Sequence, residues 1–326
     1  DRQIDIVLQP VPISPKTPSF IFELGVPVVI GPMCGGLELP PAFRHMDGAF
    51  VNLTIHAARA LAALIHRFIP GKLQAAALLV GNQRTAKALP RGTRGKIYEV
   101  VESGADLARW APKTYPVQSD GGPVRFVFCG RLVDWKGAQY LVKAFAALAR
   151  ERSDVHLDLI GDGELYESIQ KQIVDENMGH AITMHGRIPL ERCIELMRNG
   201  DVYVMPSLRE CGGLALLEAM ALGLPIVACN WMGPAEYLDA SSAILVDPVS
   251  EQGFIDGFTD AMRRLADSPE LRRSLGEGAQ RRVHAGYYGW DRKVDRVLEI
   301  LRQVLRDQTG RTYEPGLPVS APNETN

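Results

Sequence analysis

From about Pro123 onward, short apolar runs alternate with longer stretches in which apolar residues recur every three or four positions. The short runs are apolar at nearly every position, as in strands that are covered on both faces. The pattern therefore predicts a parallel sheet with helices on both faces. The predicted strands are 125–129, 155–160, 182–185, 202–205, 226–229 and 243–246, and the predicted helices between them are 136–150, 164–177, 190–198, 213–222 and 234–238.

Residues 1–117 show the same alternation less clearly. Strands are predicted at 4–8, 26–30, 75–80 and 96–101, and a helix is predicted at 54–69. The apolar residues of that helix form a one-sided stripe, which we assign to a core, with a helix lying on a membrane surface as the alternative. A glycine-rich turn, 31–36, follows one strand and either lines a cleft or is only a tight turn.

The domain boundaries follow from composition. Residues 111–123 are rich in Pro and Gly and are typical of an interdomain linker. We therefore predict an N-terminal α/β domain over 1–117 and a C-terminal α/β domain over 118–288. A helix over 289–307 is a candidate to cross back to the N-terminal domain, and the polar tail 308–326 is predicted to be disordered.

Charge and composition limit the possible partners. The net charge of −2 over 326 residues gives no bulk attraction to nucleic acid, so any anion must be held by a local site. Hydrophobic residues make up 46% and charged residues 23%, as in ordinary soluble proteins. The five cysteines are scattered without a C-x-x-C pair, and we expect them to be reduced thiols in a cytoplasmic protein, not a disulfide framework or a zinc site.

Candidate chemistry follows the strands, because ligands of open parallel sheets bind beyond the carboxyl ends of the strands. Arg131 and Lys136 flank a turn that opens a helix after the first strand of the C-terminal half. They are interpreted either as a diphosphate clamp or as two solvated cations. The segment Gly161-Asp162-Gly163 is interpreted either as a tight strand-to-helix turn or as a loop that lets a nucleoside approach closely.

The loop and helix after the fourth strand of this half carry the most informative pattern. Glu210 lies in the loop, Gly212 and Gly213 open the helix with bare amides, and Glu218 lies on the second turn. The rise from Gly213 to Glu218 is about 7–8 Å, roughly the span from a phosphate to a ribose. Apolar neighbours surround Glu218, and a carboxylate there is costly unless a partner satisfies it. We therefore favour a ligand, with a capped helix as the alternative.

These segments, in this order, resemble the retaining glycosyltransferases of family 4, which have the GT-B fold and use nucleotide sugars. The similarity lies in Gly130-Arg131 to Lys136-Gly137, in 159–163, in 201–207 and in the E-x7-E spacing of Glu210 and Glu218. The resemblance implies an α/β protein of two Rossmann-like domains that face a cleft. The family's first strand and phosphate-approaching glycine loop have no counterpart here, so we expect the N-terminal domain to be incomplete.

The resemblance also implies roles for individual residues. Arg131, Lys136 and Glu210 would be catalytic, the two cations holding the donor diphosphate and the acid binding the sugar hydroxyls. Glu218 would bind the ribose. The other residues implied at the nucleotide-sugar site are Gly130, Gly161, Gly163, Arg187, Ile188, Gly212, Gly213 and Leu214. Ser103-Gly104-Ala105-Asp106 resembles the family's N-G-V-D hinge, and Gly212 stands where the family often has an aromatic residue.

The expected activity is transfer of a sugar, with retention, from a nucleoside-diphosphate donor to a glycan or glycolipid acceptor. No D-x-D triplet is present in the sequence, so we expect no metal on the diphosphate and no cofactor. No nucleic-acid partner is expected, and contact with the inner face of a membrane through the N-terminal domain is left open. The alternatives are a non-catalytic nucleotide-sugar-binding scaffold and a GT-B nucleotide-sugar epimerase.

Overall fold

The structure is a computed structural model that describes residues 4–11, 14–47, 64–111 and 122–310. It contains two parallel β-sheets, one in each half of the chain. The prediction of two Rossmann-like α/β halves is confirmed. Among the described helices, none is both long and apolar enough to cross a membrane.

The N-terminal sheet has four strands in sequence order, β1-β2-β3-β4, all parallel. These strands are β1 (Val7–Gln9), β2 (Val28–Met33), β3 (Ala77–Val80) and β4 (Lys96–Glu99). Of the predicted helix 54–69, residues 64–68 are helical, and positions 54–63 lie outside the described residues. A 3₁₀ helix, Pro41–Met46, was not predicted, because it is short and the prolines at 40 and 41 begin it without a helical periodicity.

The C-terminal sheet has six parallel strands in the order β10-β9-β8-β5-β6-β7. The chain starts at the centre with β5, winds outward to β7, and then returns to build the other side. Every predicted strand of this half is present, with ends within one residue of the prediction. The strands are β5 (Val124–Cys129), β6 (Val155–Ile160), β7 (Ile182–Gly186), β8 (Val202–Met205), β9 (Ile226–Cys229) and β10 (Ala243–Val246).

Helices cover both faces of the C-terminal sheet because side chains alternate along each strand. Phe126 and Phe128 of β5 pack into one core, and Val127 between them packs into the core on the opposite face. The α-helices that lie wholly within the described residues are α1 (Gly71–Gln74), α2 (Gln83–Lys87), α3 (Ala138–Glu151), α4 (Tyr166–Asp175), α5 (Leu190–Asn199), α6 (Leu214–Ala221), α7 (Met232–Tyr237), α8 (Glu251–Asp267), α9 (Pro269–Ala285) and α10 (Trp290–Thr309).

The last helix, α10, packs on the N-terminal sheet. Its Ile300 and Val304 are buried against Val29 of β2 and Tyr98 of β4. Just before the helix, Gly289 forms a parallel bridge with Ala105. The chain therefore crosses back to the N-terminal half through this helix. The helix runs to Thr309, so the predicted start of a disordered tail at 308 is wrong for its first two residues, and 311–326 lie outside the described residues.

Several contacts join the two halves. Phe43 of the 3₁₀ helix packs edge-on against Tyr140 and Phe254 of the C-terminal half, each at 5.5 Å between ring centroids. The guanidinium of Arg84 pairs with Glu236 at 2.7 Å. Of the predicted linker 111–123, residues 112–121 lie outside the described part of the chain.

The expectation that all five cysteines are free is wrong for one pair. Cys34, just after β2, and Cys211, just before α6, form a disulfide with Cα atoms 6.5 Å apart. Cys129, Cys193 and Cys229 are free thiols. The pair is 177 positions apart in sequence, so no local spacing indicated it. It becomes possible because both loops meet at the boundary between the halves.

Candidate functional site

The loops after β5 and β6 are held together by backbone hydrogen bonds. The amide of Gly130 donates to the carbonyl of Ile160 at 3.0 Å, and the amide of Leu132 donates to the carbonyl of Asp162 at 2.9 Å. Gly161 has a φ of +140°, and a Cβ there would collide with the carbonyl oxygen of Gly130. Glycine is required at this position both by conformation and by space. The turn is thus tight and also keeps the strand ends open to a ligand.

A cavity of about 500 Å³ opens over these loops at the carboxyl edge of the sheet. Its volume lies within the range of ~300–1,000 Å³ that is usual for small-molecule sites. It brings together half of the residues that the sequence assigned to the site. These are Gly130, Arg131, Gly161, Gly163, Arg187 and Ile188.

Arg131 lies in this cavity without a protein partner, as does Arg187, the other cation of its lining. The side chain of Arg131 is exposed, and its guanidinium makes no hydrogen bond or ion pair with any described residue. Arginine presents a planar array of donors that fits phosphate oxygens in pairs. Arg131 is therefore free to bind an anion in the cavity.

Lys136 is placed differently from Arg131. Its ammonium donates to the Oε2 atom of Glu210, and both side chains are largely buried, at 21% and 12% exposed. This pair brings the start of α3 against the loop before α6. The cation and the acid assigned to the site are therefore neighbours, but they neutralise each other here instead of facing the cavity separately.

The start of α6 offers unpaired backbone donors. Gly213 has a φ of +50° and precedes Leu214, the first residue of the helix, whose side chain is half exposed. The amides of Gly212 and Gly213 have no acceptor among the described residues. The positive end of the helix dipole and such amides attract anions. The loop is positioned by Gly233 at the start of α7, whose amide donates to the carbonyl of Glu210 at 3.1 Å.

Glu218 lies on the inner face of α6 and lacks a partner. Its carboxylate makes no hydrogen bond or ion pair within the described residues. Burial raises the pKa of Glu218 to about 7, and the nearby charge of Arg109 opposes this only in part. A half-buried acid without a partner is a candidate ligand-binding group. It could accept hydrogen bonds from vicinal hydroxyls of a sugar.

Two cysteines that the sequence analysis did not assign connect Glu218 to the cavity. Cys129 and Cys193 line it, with their sulfur atoms 3.5 Å apart. The Cys193 thiol, burial and the charge of Glu218 all raise the pKa of Cys129, whereas Lys136 acts in the opposite direction. Glu218 and Lys136 are therefore near enough to Cys129 for their charges to act on its thiol, although neither lines the cavity. No motif indicated the thiol pair, because its members are on β5 and α5, 64 positions apart.

The N-terminal half closes over the start of α6. A Cβ added at Gly212 would collide with the hydroxyl of Ser103 and with the Oε1 atom of Glu102. This explains why no aromatic residue stands at 212: the space is already filled from the opposite domain. Glu102 was missed by the sequence analysis, since it is a single acid that precedes the hinge-like segment Ser103-Gly104-Ala105-Asp106 and is not part of that motif. Burial raises the pKa of this carboxyl group.

The site as a whole is suited to a ligand with an anionic centre and hydroxyl groups. Arg131 and the unpaired amides before α6 attract negative charge, and Glu218 can accept hydrogen bonds. The cavity wall at Gly186, Arg187 and Ile188 offers mostly backbone and apolar surface. His185 next to it does not face the ligand space freely, because its Nε2 pairs with Asp158 at 2.7 Å.

Comparison with known proteins agrees with this geometry. Residues 116–282 match the family described as glycosyl transferases group 1. The D-inositol 3-phosphate glycosyltransferase of Pseudarthrobacter chlorophenolicus is 30% identical over 268 residues, covering 78% of this chain and 61% of the relative. A GDP-mannose-dependent mannosyltransferase of Corynebacterium glutamicum, which acts on a monoacylated phosphatidylinositol monomannoside, is 27% identical over 226 residues, covering 64% of this chain and 57% of the relative.

The chain spans about half to three-fifths of the length of the curated relatives it matches (61%, 52% and 49% for three of them). Solved structures share the fold. Sucrose-phosphate synthase from Thermosynechococcus elongatus superposes with a TM-score of 0.64 at 19% identity, covering 88% of this chain and 70% of that one. The pneumococcal O-GlcNAc transferase GtfA, in complex with UDP and GlcNAc, gives 0.62 at 16% identity, covering 86% and 53%.

The predicted GT-B arrangement of two Rossmann-like domains is thereby confirmed. The matched segment covers slightly more than half of the chain and includes β5 to α9 except the last residues of that helix. It contains the cavity, the open amides before α6 and both glutamates of the E-x7-E spacing. The chain therefore belongs to the group 1 family of glycosyl transferases.

Proposed function

We propose that this protein transfers a sugar, with retention at the anomeric carbon and without a metal ion, from a nucleoside-diphosphate sugar to a glycan or glycolipid acceptor. The observation that carries the proposal is the partnerless state of three groups around one strand edge: the Arg131 guanidinium, the amides before α6 and the Glu218 carboxylate. The diphosphate of such a donor would bind Arg131 and the amides, and its ribose would bind Glu218. Membership in the glycosyl transferase family supports a donor of this kind.

In this proposal the donor lies along the carboxyl edge of the C-terminal sheet. The base occupies the cavity beside Arg187 and Ile188 and is contacted mainly by backbone groups. Glu218 accepts hydrogen bonds from the two ribose hydroxyls. The diphosphate lies between Arg131 and the amides of Gly212 and Gly213, where a side-chain charge and the helix end act on the same oxygens.

Lys136 and Glu210 exchange their partners when the donor binds. When the diphosphate and sugar arrive, Lys136 gains a phosphate partner and Glu210 gains sugar hydroxyls. The exchange keeps both side chains satisfied, which matters because a buried charge without a partner is costly. Glu210 orients the sugar in this scheme and does not form a bond to it.

The reaction breaks the bond between the anomeric carbon and the diphosphate oxygen and forms a bond to the acceptor oxygen on the same face. The proton of the acceptor hydroxyl passes to an oxygen of the departing diphosphate. Arg131, Lys136 and the start of α6 stabilise the negative charge that develops on the leaving group. These protein groups thus stabilise the charge on the leaving diphosphate, as a bound cation does in other transferases. We therefore propose that no metal ion is needed for this step.

The acceptor approaches from the N-terminal half, whose loops at Cys34 and Glu102 face the start of α6. We place the reaction in the cytoplasm, and a glycolipid acceptor would bring the N-terminal half to a membrane surface. Two of the relatives named above act on inositol-containing acceptors by name. We propose a polyhydroxylated acceptor of that chemical class.

The test begins with donor binding. UDP-, GDP- and ADP-sugars are screened by thermal shift, since a ligand at 100 times its Kd stabilises a protein by about 2.7 kcal/mol. The best donor is then incubated with acceptors in the presence of EDTA, and the anomeric configuration of the product is read by NMR. Binding without transfer or donor hydrolysis would favour the scaffold alternative, and an epimerised nucleotide sugar would favour the epimerase. An inverted product would contradict retention.

A further inference from the structure

Three potential metal ligands meet where the two halves face each other. Cys34 comes from the loop after β2, Glu102 follows β4, and Cys211 precedes α6. One ligand atom from each lies within 4.8 Å of the other two. The three are drawn from three segments of the fold, so their convergence is a property of the domain arrangement. The glycosyl-transfer proposal assigns no chemistry to them.

The carboxylate of Glu102 is the member that lacks a partner. Its Oε2 atom is buried and makes no hydrogen bond within the described residues. Two glycines make room for it: a Cβ at Gly81 would lie 2.5 Å from Oε2, and a Cβ at Gly212 would meet Oε1. Burying a carboxylate oxygen without a donor or a cation is unfavourable. The space around Glu102 is therefore shaped for its carboxylate, but no described residue donates a hydrogen bond to the Oε2 atom.

The charged neighbours of the cluster do not fill this role. Lys293 and Arg84 face Glu102 from α10 and α2, and Glu210 faces it from the loop before α6. The ammonium of Lys293 donates to the carbonyl of Ser103. Arg84 donates to Glu236 and to the carbonyl of Gly35. Neither cation donates a hydrogen bond to the carboxylate, although both charges act on it and the Nη2 atom of Arg84 is itself buried without a partner. The acid Glu210 adds negative charge that favours a bound cation.

We propose that, once the Cys34–Cys211 disulfide is reduced, the two thiolates and the Glu102 carboxylate bind one Zn²⁺ ion across the domain boundary. Thiolate and carboxylate ligands suit this ion, with Zn–S distances of ~2.3 Å and Zn–O distances of ~2.0–2.2 Å. Ligand atoms of such a tetrahedral site lie about 3.5–3.8 Å apart. Side-chain rotation at a Cα separation of 6.5 Å is enough to reach that spacing.

Metal binding follows reduction of the Cys34–Cys211 disulfide. A phosphine and one water reduce the disulfide to two thiols, and the phosphine becomes its oxide. Binding of Zn²⁺ then releases both thiol protons to solvent, and a water molecule completes the fourth position. The ion holds the loop of Cys211 against the N-terminal sheet and does not touch the donor diphosphate. The oxidised protein keeps the same two loops together through the covalent bond.

The test uses Co²⁺ as a spectroscopic probe on the full chain, reduced with a phosphine that does not compete for the metal. We expect one equivalent of Co²⁺ to give a thiolate-to-cobalt charge-transfer band, which Zn²⁺ abolishes by displacement. Cys34→Ser and Cys211→Ser should each weaken or shift the band markedly. Glu102→Gln, which keeps both thiols, should need more Co²⁺ for the same absorbance.

Cys193→Ser is the matched control, because Cys193 belongs to the other close thiol pair, with Cys129 at 3.5 Å. It should retain the band. Circular dichroism and a cooperative melt establish that each variant is folded. No band in the reduced wild type, a band unchanged in Cys34→Ser, or unchanged affinity in Glu102→Gln would overturn the site. The first of these outcomes would leave the pair as a disulfide only.

Discussion

The ammonium of Lys136 donates a hydrogen bond to the carboxylate of Glu210, linking the start of α3 to the loop before α6 across 74 positions of sequence. Lys136 and Glu210, which are proposed to bind the donor, are therefore paired with each other in the ligand-free protein. Arg131, five residues before Lys136, is left without such a partner. The two cations therefore differ in what they do before a ligand arrives, and their variants should differ too.

Replacing Arg131 with Ala should weaken donor binding and leave stability unchanged. A hydrogen bond to a charged group contributes about 1.5–3 kcal/mol, so we expect the Kd for the donor to rise roughly 10- to 100-fold. The measurement is calorimetric titration with the donor found by the screen, beside a urea unfolding curve. Arg192→Ala, which removes an exposed pair with Glu195, is the control and should change neither quantity. Unchanged donor affinity in Arg131→Ala would remove Arg131 from the site.

Replacing Lys136 with Ala should instead lower the stability of the ligand-free protein. Glu210, 12% exposed, would lose its partner. Leaving such a group unsatisfied costs about 1–3 kcal/mol. The change appears as a lower urea midpoint at an unchanged slope. The double variant Lys136→Ala/Glu210→Gln should recover part of the loss, because the uncompensated negative charge is gone. A double variant that is no more stable than Lys136→Ala would show that the pair adds nothing beyond packing.

The pH dependence of stability should report Glu218. Its pKa is raised by burial from 4.5 to about 7, so the folded state holds the proton over a range where the unfolded state has lost it. The stabilisation present below pH 4.5 is lost as the pH rises through 7, by roughly 3 kcal/mol in total. Glu218→Gln should remove this component. The measurement is the difference between the two proteins' unfolding free energies at several pH values.

Deprotonation of Glu218, which lowers the stability of the folded protein, should strengthen donor binding. A deprotonated Glu218 accepts two ribose hydroxyl hydrogen bonds, so donor affinity should fall as the pH drops below about 7. Glu218→Gln should bind the donor weakly at every pH. Parallel affinity curves for the variant and the wild type would contradict ribose recognition by this residue.

Gly233→Ala tests how the loop of Glu210 is held. A Cβ at Gly233 would collide with the carbonyl oxygen of Cys211, and the amide of Gly233 anchors the carbonyl of Glu210. We expect a displaced loop, a loss of about 1–3 kcal/mol in stability and weaker donor binding. Gly179→Ala is the matched control, because a Cβ there meets nothing within 4 Å. Equal stability of the two variants would mean that the loop of Glu210 moves without a loss of folding free energy.

The strands of the C-terminal half could be predicted closely because they are buried on both faces. Val202–Met205 and Ile226–Cys229 are buried at every position, so their apolar runs in the sequence have sharp ends. The N-terminal half was harder. Its β4 is exposed at Lys96, Ile97 and Glu99, and such a strand lacks a continuous apolar signal.

Some residues of the candidate site could likewise be predicted from the sequence, and others could not. Arg131 and Gly161 follow strands closely, and Gly213 opens the helix after a third strand, so topology alone brought them to one edge of the sheet. The pairing of Lys136 with Glu210, and the position of Glu102 against Gly212, depend on side-chain direction and on how the halves meet. Sequence spacing carries neither kind of information. The Cys34–Cys211 bond was missed for the same reason.

The bridge between Ala105 and Gly289 places the outgoing and returning passages of the backbone side by side. Since α10 then docks on the N-terminal sheet through Ile300 and Val304, the N-terminal half is completed by the last described helix of the chain. A protease nick between Ala111 and Gly122 would therefore yield two fragments that stay associated under native conditions. The C-terminal fragment would hold its partner through the packing of Ile300 and Val304 on the N-terminal sheet.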